Sequence, residues 1–296
     1  MNILVTGSNG FIGSPLVQDI EADGHRVIRL VRRPSQHPDE IQWDSASDGL
    51  DTGCLNGVDA VIHLAGESIK GRWTASKRNA ILDSRVHGTS VLVQAMVAMA
   101  NPPRTFLCAS AAAYGDRGNE ILTEASELGR GFLADVCRAW EAATLPAARR
   151  GIRTVNLRFS LVLDSGGGAL ASMLTPFRMG LGGRLGNGRQ YWSWITLEDA
   201  VGAMKHVLAS EALAGPVNVV SPNPVTNRQF TKALGRALGR LTLLPVPATV
   251  MRLVLGQMAD ELLLSSVRAA PKKLLESGFT FRHTEIAEAL RAILQR

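Results

Sequence analysis

Residues 2–13 read NILVTGSNGFIG. Asn2 to Thr6 is a short, nearly continuous apolar run, the pattern of a strand buried on both faces. Gly7-Ser8-Asn9-Gly10-Phe11-Ile12-Gly13 follows at once and opens a stretch of helical periodicity from Phe11 to about Ala22. Strand, GxxGxxG turn and helix in that order make a site for the pyrophosphate of a dinucleotide. Gly7 permits the tight turn, Gly10 lets the backbone approach the pyrophosphate, and Gly13 lets helix and strand pack closely. The exposed N–H groups and the positive end of the helix then face the anion. The same glycines occur in ordinary turns, but their place between a strand and a helix favours the phosphate reading.

Working outward, HRVIRLVRR (25–33), DAVIHLAG (59–66), TFLCAS (105–110) and RTVNLRFSLVL (153–163) read as four further strands. Between them, Ile81, Val86, Leu92, Val93 and Met96 recur at helical spacing, as do Phe132, Val136, Trp140 and Ala143. This alternation predicts an α/β fold, a Rossmann-like doubly wound parallel sheet. After Asp164 the texture changes to SGGG (165–168), MGLGGRLGNGRQ (179–190) and Trp192-Ser193-Trp194. Residues 1–163 are therefore assigned to a dinucleotide-binding domain and 164–296 mainly to a smaller C-terminal substrate lobe. Residues 197–221 are expected to return to the first sheet through GPVNVVS (215–221). Residues 226–239 read as a helix, and the tail from Pro245 is mostly helical.

The chain has 296 residues, 46% apolar, with a net charge of +6. No apolar run approaches the ~20 residues of a membrane span, and no leader peptide is visible. Cys54, Cys108 and Cys137 form no CxxC pair, and the six histidines show no metal spacing. The expectation is a cytoplasmic protein without a metal site. The basic residues are scattered, so neither nucleic acid nor membrane is expected as a partner; a phosphate-rich cofactor suits the charge as well. The chain is expected to be a monomer or a homodimer, with the Phe132–Ala143 helix one candidate for the dimer contact.

The second strand ends in Leu30-Val31-Arg32-Arg33. An acid here would accept from a ribose 2′-hydroxyl; arginine instead pairs with a 2′-phosphate. This favours NADP(H) over NAD(H), with Arg32 as the reader, against the alternative of two solvated arginines beside Val31. Asp44 sits where an adenine amino group is met, or is a solvated loop acid.

TGSNGFIG, DAVIHLAG, HGTSVL (87–92) and ASAAAYGD (109–116) together resemble the extended short-chain dehydrogenase/reductases. RWTASKRNAILDSR (72–85), FLADVCRAWEAA (132–143), WSWI (192–195) and PKKLLESGFTFRH (271–283) resemble one branch of them. Its members are called epimerase family proteins, or NAD-dependent epimerase/dehydratase-like, and end in a segment of unknown role. The likeness runs from Met1 to about Leu294. It implies a Rossmann lobe, NADP(H) binding and an unassigned substrate. It also implies that Leu64, Ala65 and Gly66 pass under the cofactor and that Leu161 and Val162 lie near the nicotinamide. Arg85 is implied as a cofactor contact where typical members carry asparagine; the alternative is a helix arginine paired with Asp83 or solvent. Ser110 matches the active-site serine, beside the cofactor and the substrate oxygen, or is simply a small residue in a packed run. Tyr114 matches a tyrosine of the serine segment and is assigned to substrate contact.

The usual acid is missing. Hydride transfer to a carbonyl needs a proton, which these enzymes take from a tyrosine four residues before a lysine. Four residues after Tyr114 stands Gly118, and four after Tyr191 stands Ile195. The expected pair falls on Leu133 and Cys137. Glu67 and Lys77 are candidate proton sources from the loop after the third strand, with Arg72 and Trp73 as substrate contacts. Arg189, Trp192 and Trp194 are candidates from the other lobe. Each has a bland alternative as loop or core. Three functions are compatible with these residues: an NADP(H)-dependent oxidoreductase on a small molecule with an unusual proton source, an NADP(H)-binding sensor or scaffold without turnover, and a sugar-nucleotide epimerase or dehydratase. The missing tyrosine weighs against the third.

Overall fold

The protein is described by a computed structural model, covering residues 1–44 and 49–295. Seven strands form one sheet: β1 (Asn2–Thr6), β2 (Arg26–Val31), β3 (Glu40–Gln42), β4 (Ala60–His63), β5 (Thr105–Ala111), β6 (Arg153–Phe159) and β7 (Gly215–Val219). Their order is β7-β6-β5-β4-β1-β2-β3, and every pairing is parallel. The helices α1 (Gly13–Ala22), α2 (Ala75–Ala98), α3 (Phe132–Arg149), α4 (Gly168–Arg178) and α5 (Leu197–Ala209) alternate with the strands. The chain winds outward from β1 to β3, then returns to β4 and winds the other way to β7. The reversal lies between β1 and β4, where a doubly wound sheet opens its crevice at the carboxyl ends. This is a Rossmann-like α/β fold.

The strand run at 153–163 is broken. β6 ends at Phe159, and Leu161–Asp164 is a separate strand that pairs in parallel with Trp194–Thr196. The physical reason lies at Ser160, whose Oγ donates to the Ser193 carbonyl at 2.8 Å, with Leu161 N–H donating to the same oxygen at 3.2 Å. The chain is thereby led out of the main sheet into the second lobe. The short β3 has no alternating pattern of its own and is held mainly by pairing with β2.

Ile3, Leu4, Val61, Ile62, Phe106, Leu107, Val155, Leu157, Val217 and Val219 are fully buried in the first core. Each such side chain contributes about 1.5–3 kcal/mol on burial. A second core gathers Leu163, Leu170, Phe177, Trp192, Trp194, Phe230 and Ile293. Trp192 and Trp194 therefore do not wall a ligand. Their indole N–H groups donate to the carbonyls of Leu263 at 3.2 Å and Asn223 at 2.9 Å, so each buried ring has its polar edge satisfied.

The C-terminal region adds α6 (Asn227–Ala237), α7 (Ala248–Leu255), a π-helical turn (Ala259–Leu264), α8 (Lys272–Glu276) and α9 (Ile286–Gln295). α6 starts with a capping box between Thr226 and Gln229.

Candidate active site

The turn after β1 is shaped for close approach. Gly7 has φ +70°, and a Cβ on it would meet the backbone of Leu64 at 2.8 Å and of Ala65 at 2.9 Å. A Cβ on Gly13 would overlap the carbonyl oxygen of Gly7. Gly7 accepts from Gly10 N–H at 2.9 Å, closing the turn. No side chain caps α1, and no acid sits in its first turn. Ser8 Oγ is buried without a partner among the described residues. An uncapped helix N-terminus, a backbone cradle and an unsatisfied hydroxyl fit a bound pyrophosphate. Asn9 and Gly10 are exposed, while Phe11 and Ile12 pack on the core. Phe11 lies against Gly167 and Gly168, where a Cβ on either glycine would strike its ring.

At the end of β2 the two arginines part company. Arg33 grips Glu40 with two hydrogen bonds, at 2.9 and 2.6 Å, and is committed to the β2–β3 edge. Arg32 is exposed and makes no ion pair among the described residues. Val31 is buried in the strand. Asp44 is exposed, next to Trp43, at the edge of the described residues.

Across the crevice, Leu64, Ala65 and Gly66 leave β4. Leu64 N–H donates to the Thr6 carbonyl at 3.2 Å, and Ala65 N–H to Thr6 Oγ1 at 3.1 Å. Arg85 turns away from Asp83: its guanidinium donates to the Glu67 carbonyl at 2.9 Å and lies over the Trp140 ring at 5.0 Å. A Cβ on Gly66 would come within 3.2 Å of it. Arg85 thus braces the loop under the cleft. Glu67 and Lys77 pair with each other at 2.5 Å. The hydrogen bond from Lys77 holds the Glu67 carboxyl below the usual carboxylate range, with Lys77, Arg32 and Arg85 adding charge. Lys70 reaches over to Ser172 Oγ of α4 at 3.1 Å, so the loop touches the second lobe.

Ser110 is the last residue but one of β5, and its partner lies far along the chain. Its Oγ donates to Glu141 Oε1 at 2.8 Å. Glu141 is clamped by Arg158, through Nε at 2.8 Å and Nη2 at 2.9 Å. Arg158 stands opposite Ser110 in the β5–β6 register. Arg158 Nη1 donates to the Tyr114 hydroxyl at 3.1 Å, which donates to Asn218 Oδ1 at 2.6 Å. Asn218 Nδ2 donates to the Ala270 carbonyl at 2.9 Å, and Glu124 gathers the N–H groups of Asn218 and Lys273 at 3.1 and 3.2 Å. The assignment of Tyr114 to substrate contact is corrected: it has no exposed surface, and burial raises its hydroxyl pKa. The ring is a joint between the sheet and the C-terminal segment.

On α3, Leu133 and Cys137 hold the places of the absent tyrosine and lysine. Burial pushes the Cys137 thiol up to about 11. Leu133 borders a cluster of Trp73, Ile81, Phe132 and Val136, joined by Met258 and Leu262 from the C-terminal segment. Trp73 is corrected from ligand contact to cluster core, edge-on to Phe132 at 5.2 Å with its Nε1 donating to the Ile69 carbonyl at 2.9 Å. Arg72 and Arg189 are exposed, with no side-chain hydrogen bond among the described residues. Glu261 adds a carboxylate at the head of α3, on the N–H groups of Phe132 and Leu133.

Residues 3–220 match the model of the NAD dependent epimerase/dehydratase family, and residues 246–293 match a domain of unknown function, DUF1731. The epimerase family protein ML0860 of Mycobacterium leprae is 43% identical over 97% of this chain and 94% of its own length. Human epimerase family protein SDR39U1 is 35% identical over 99% of this chain and all of its own. A crystal structure of the human protein (isoform 2) with NADPH superposes with a TM-score of 0.90, at 34% identity over 100% of both chains. The nucleoside-diphosphate sugar epimerase of Corynebacterium glutamicum superposes with a TM-score of 0.83, at 36% identity, over 99% of this chain and 58% of that one. With the glycine cradle, the doubly wound sheet and the C-terminal segment all in register, the chain belongs to the NAD dependent epimerase/dehydratase family, in its branch of epimerase family proteins.

Proposed function

We propose that the chain is an NADP(H)-dependent oxidoreductase acting on a small molecule in the cytoplasm, with Ser110 backed by Glu141 in place of the tyrosine–lysine pair. The observation that carries this reading is the 2.8 Å bond from Ser110 to Glu141 at the carboxyl end of β5. Bound NADP(H) supplies or accepts the hydride. Arg32, without an ion pair at the end of β2, meets its 2′-phosphate, and the NADPH of the human relative supports that preference. In the direction of alcohol oxidation, the substrate hydroxyl gives its proton to Ser110 Oγ while the serine proton passes to the Glu141 carboxylate. In carbonyl reduction the same proton returns. Arg158 fixes the carboxylate so that one oxygen always faces the serine. Glu67, paired to Lys77 on the loop after β4, is the second candidate, without the direct bond to Ser110 that Glu141 makes.

The test is turnover of NADPH by the purified protein with a panel of aldehydes, ketones and quinones. Glu141→Gln and Ser110→Ala each lower the rate by about a hundredfold or more, with NADPH affinity kept. Tight NADPH binding with no turnover on the whole panel favours a ligand-gated sensor instead. That second reading draws on Leu133 and Cys137, which stand where typical members carry the tyrosine and lysine and offer no such acid.

A further inference from the structure

The C-terminal lobe presents an exposed surface that combines cations with aliphatic side chains. From Ala212 to Ala259 the sequence holds five cations, Arg228, Lys232, Arg236, Arg240 and Arg252, and no aspartate or glutamate. Arg228, Lys232 and Arg236 stand at i, i+4 and i+8 on α6, one line along the helix, and all are exposed. The opposite face, with Phe230, Ala233 and Leu234, is buried. Arg184 joins the line, since Arg184 and Arg228 flank Gly188 at 3.3 and 3.2 Å from its Cβ position. Of the five cations only Arg252 has an ion pair among the described residues, with Asp260 at 2.8 Å.

A row of cations alone is a solvated helix face. The segment beyond α6 gives the surface its character. Leu241, Leu243 and Leu244 are 75%, 78% and 60% exposed. α7 has no buried residue, and its Val250, Leu253 and Val254, at i, i+3 and i+4, face solvent. A helix that packs on its own protein turns that stripe inward. The stretch is nevertheless pinned: Val246 N–H donates to the Arg184 carbonyl at 2.8 Å, and Gly186 N–H to the Val246 carbonyl at 2.9 Å.

We propose that the exposed edge of α6, the 240–247 connection and α7 seat the protein on the surface of an anionic lipid bilayer. The cations meet the headgroups, and the aliphatic side chains enter the interface. The combination selects the partner. A nucleic acid takes the cations but has no use for six exposed aliphatic side chains. A second copy would set five cations against five. No described helix is long and apolar enough to cross a membrane, so the attachment is peripheral. The sequence expectation of no membrane partner rested on scattered cations; the helix spacing of α6 aligns them.

The experiment is cosedimentation of the full chain with vesicles of phosphatidylcholine alone, or of equal parts phosphatidylcholine and phosphatidylglycerol. Binding to the anionic vesicles exceeds binding to the neutral ones by about tenfold or more and falls at high salt. The triple variant Arg228→Glu, Lys232→Glu, Arg236→Glu abolishes it. The triple variant Leu243→Ser, Leu244→Ser, Leu253→Ser weakens it about tenfold. These positions are exposed, and unchanged NADPH affinity and circular dichroism establish that both variants fold. The proposal is overturned if the wild type ignores anionic vesicles or binds both kinds equally. It is also overturned if the serine variant binds as well as the wild type, if duplex DNA displaces the vesicles, or if the wild type is a dimer that Leu253→Ser alone splits.

Discussion

Glu261 accepts the backbone N–H of Leu133 at 2.8 Å and, through its other oxygen, that of Phe132 at 3.0 Å. α3 is preceded at its N-cap by Gly131, which offers no capping side chain. The C-terminal segment therefore supplies, from far along the chain, the capping acceptor that Gly131 cannot, in addition to Asp135 in the first turn. Gly131, at φ +110°, is needed here, because a Cβ would come 2.9 Å from the Glu261 carboxylate. Glu261→Ala is expected to lower stability by about 1–2 kcal/mol, and Glu261→Gln by about half as much. Urea denaturation of the three proteins side by side is the measurement; an unchanged midpoint for the alanine variant would sink the latch.

Arg32 and Arg33 are neighbours with different employment, and their variants separate accordingly. Arg32→Asp removes no ion pair seen among the described residues and places an acid where a ribose 2′-hydroxyl would lie. NADPH affinity is expected to fall about tenfold or more, while NADH affinity holds or rises, with no loss of thermal stability. Arg33→Ala frees the largely buried Glu40 carboxylate, which the Arg33 hydrogen bonds hold below its ordinary range. It is expected to weaken the β2–β3 edge and both cofactors together. Fluorescence titration with the two reduced cofactors distinguishes the two patterns.

The glycine turn after β1 was legible because its shape is local. Gly7, Gly10 and Gly13 act through backbone shape within one turn, and the order strand–turn–helix carries the rest. The sheet was legible for the same reason, since β1, β4 and β5 are continuous apolar runs. The break at Ser160 was not, because it depends on Ser193 in another strand. The partner of Ser110 was not legible either. Glu141 looks like an ordinary polar position on an amphipathic helix, and only the β5–β6 register brings Arg158 beside it. Trp192, Trp194 and Trp73 misled because aromatic residues near glycine-rich loops look alike whether they meet a ligand or fill a core. The one usable signal for the network was an arginine inside the apolar run 153–159, since a charge in a buried strand demands a partner.

That demand makes Arg158 the sharpest stability test of the site. Ser110→Ala removes one hydrogen bond and is expected to cost about 1 kcal/mol. Arg158→Leu leaves Glu141 inside the protein without its two donors and takes a donor from Tyr114. A broken buried pair costs about 3–5 kcal/mol; with Glu141 at 16% side-chain exposure, the lower end applies. The double variant Arg158→Leu/Glu141→Leu is expected to recover much of the loss. Chemical denaturation of the cycle measures the coupling, and additive losses would mean that the pair is not a unit.

His63 supplies a pH test that does not depend on turnover. Its ring is fully buried on β4, Nδ1 lies 2.7 Å from Thr6 Oγ1, and Nε2 has no partner among the described residues. Burial, helped by the charge of Arg85, pushes its pKa down to about 4. The folded state therefore refuses a proton that the unfolded chain accepts near pH 6.5. The contribution of the neutral ring is intact above the unfolded value and is lost as pH falls toward 4. Between pH 7.5 and pH 5 this amounts to about 2 kcal/mol. His63→Asn keeps a polar group toward Thr6 and cannot titrate. Its urea midpoint is expected to be lower than that of the parent at pH 7.5, with the gap closing by pH 5 as the parent alone loses this contribution. Parallel curves for the two proteins across that range would show that His63 carries no such linkage.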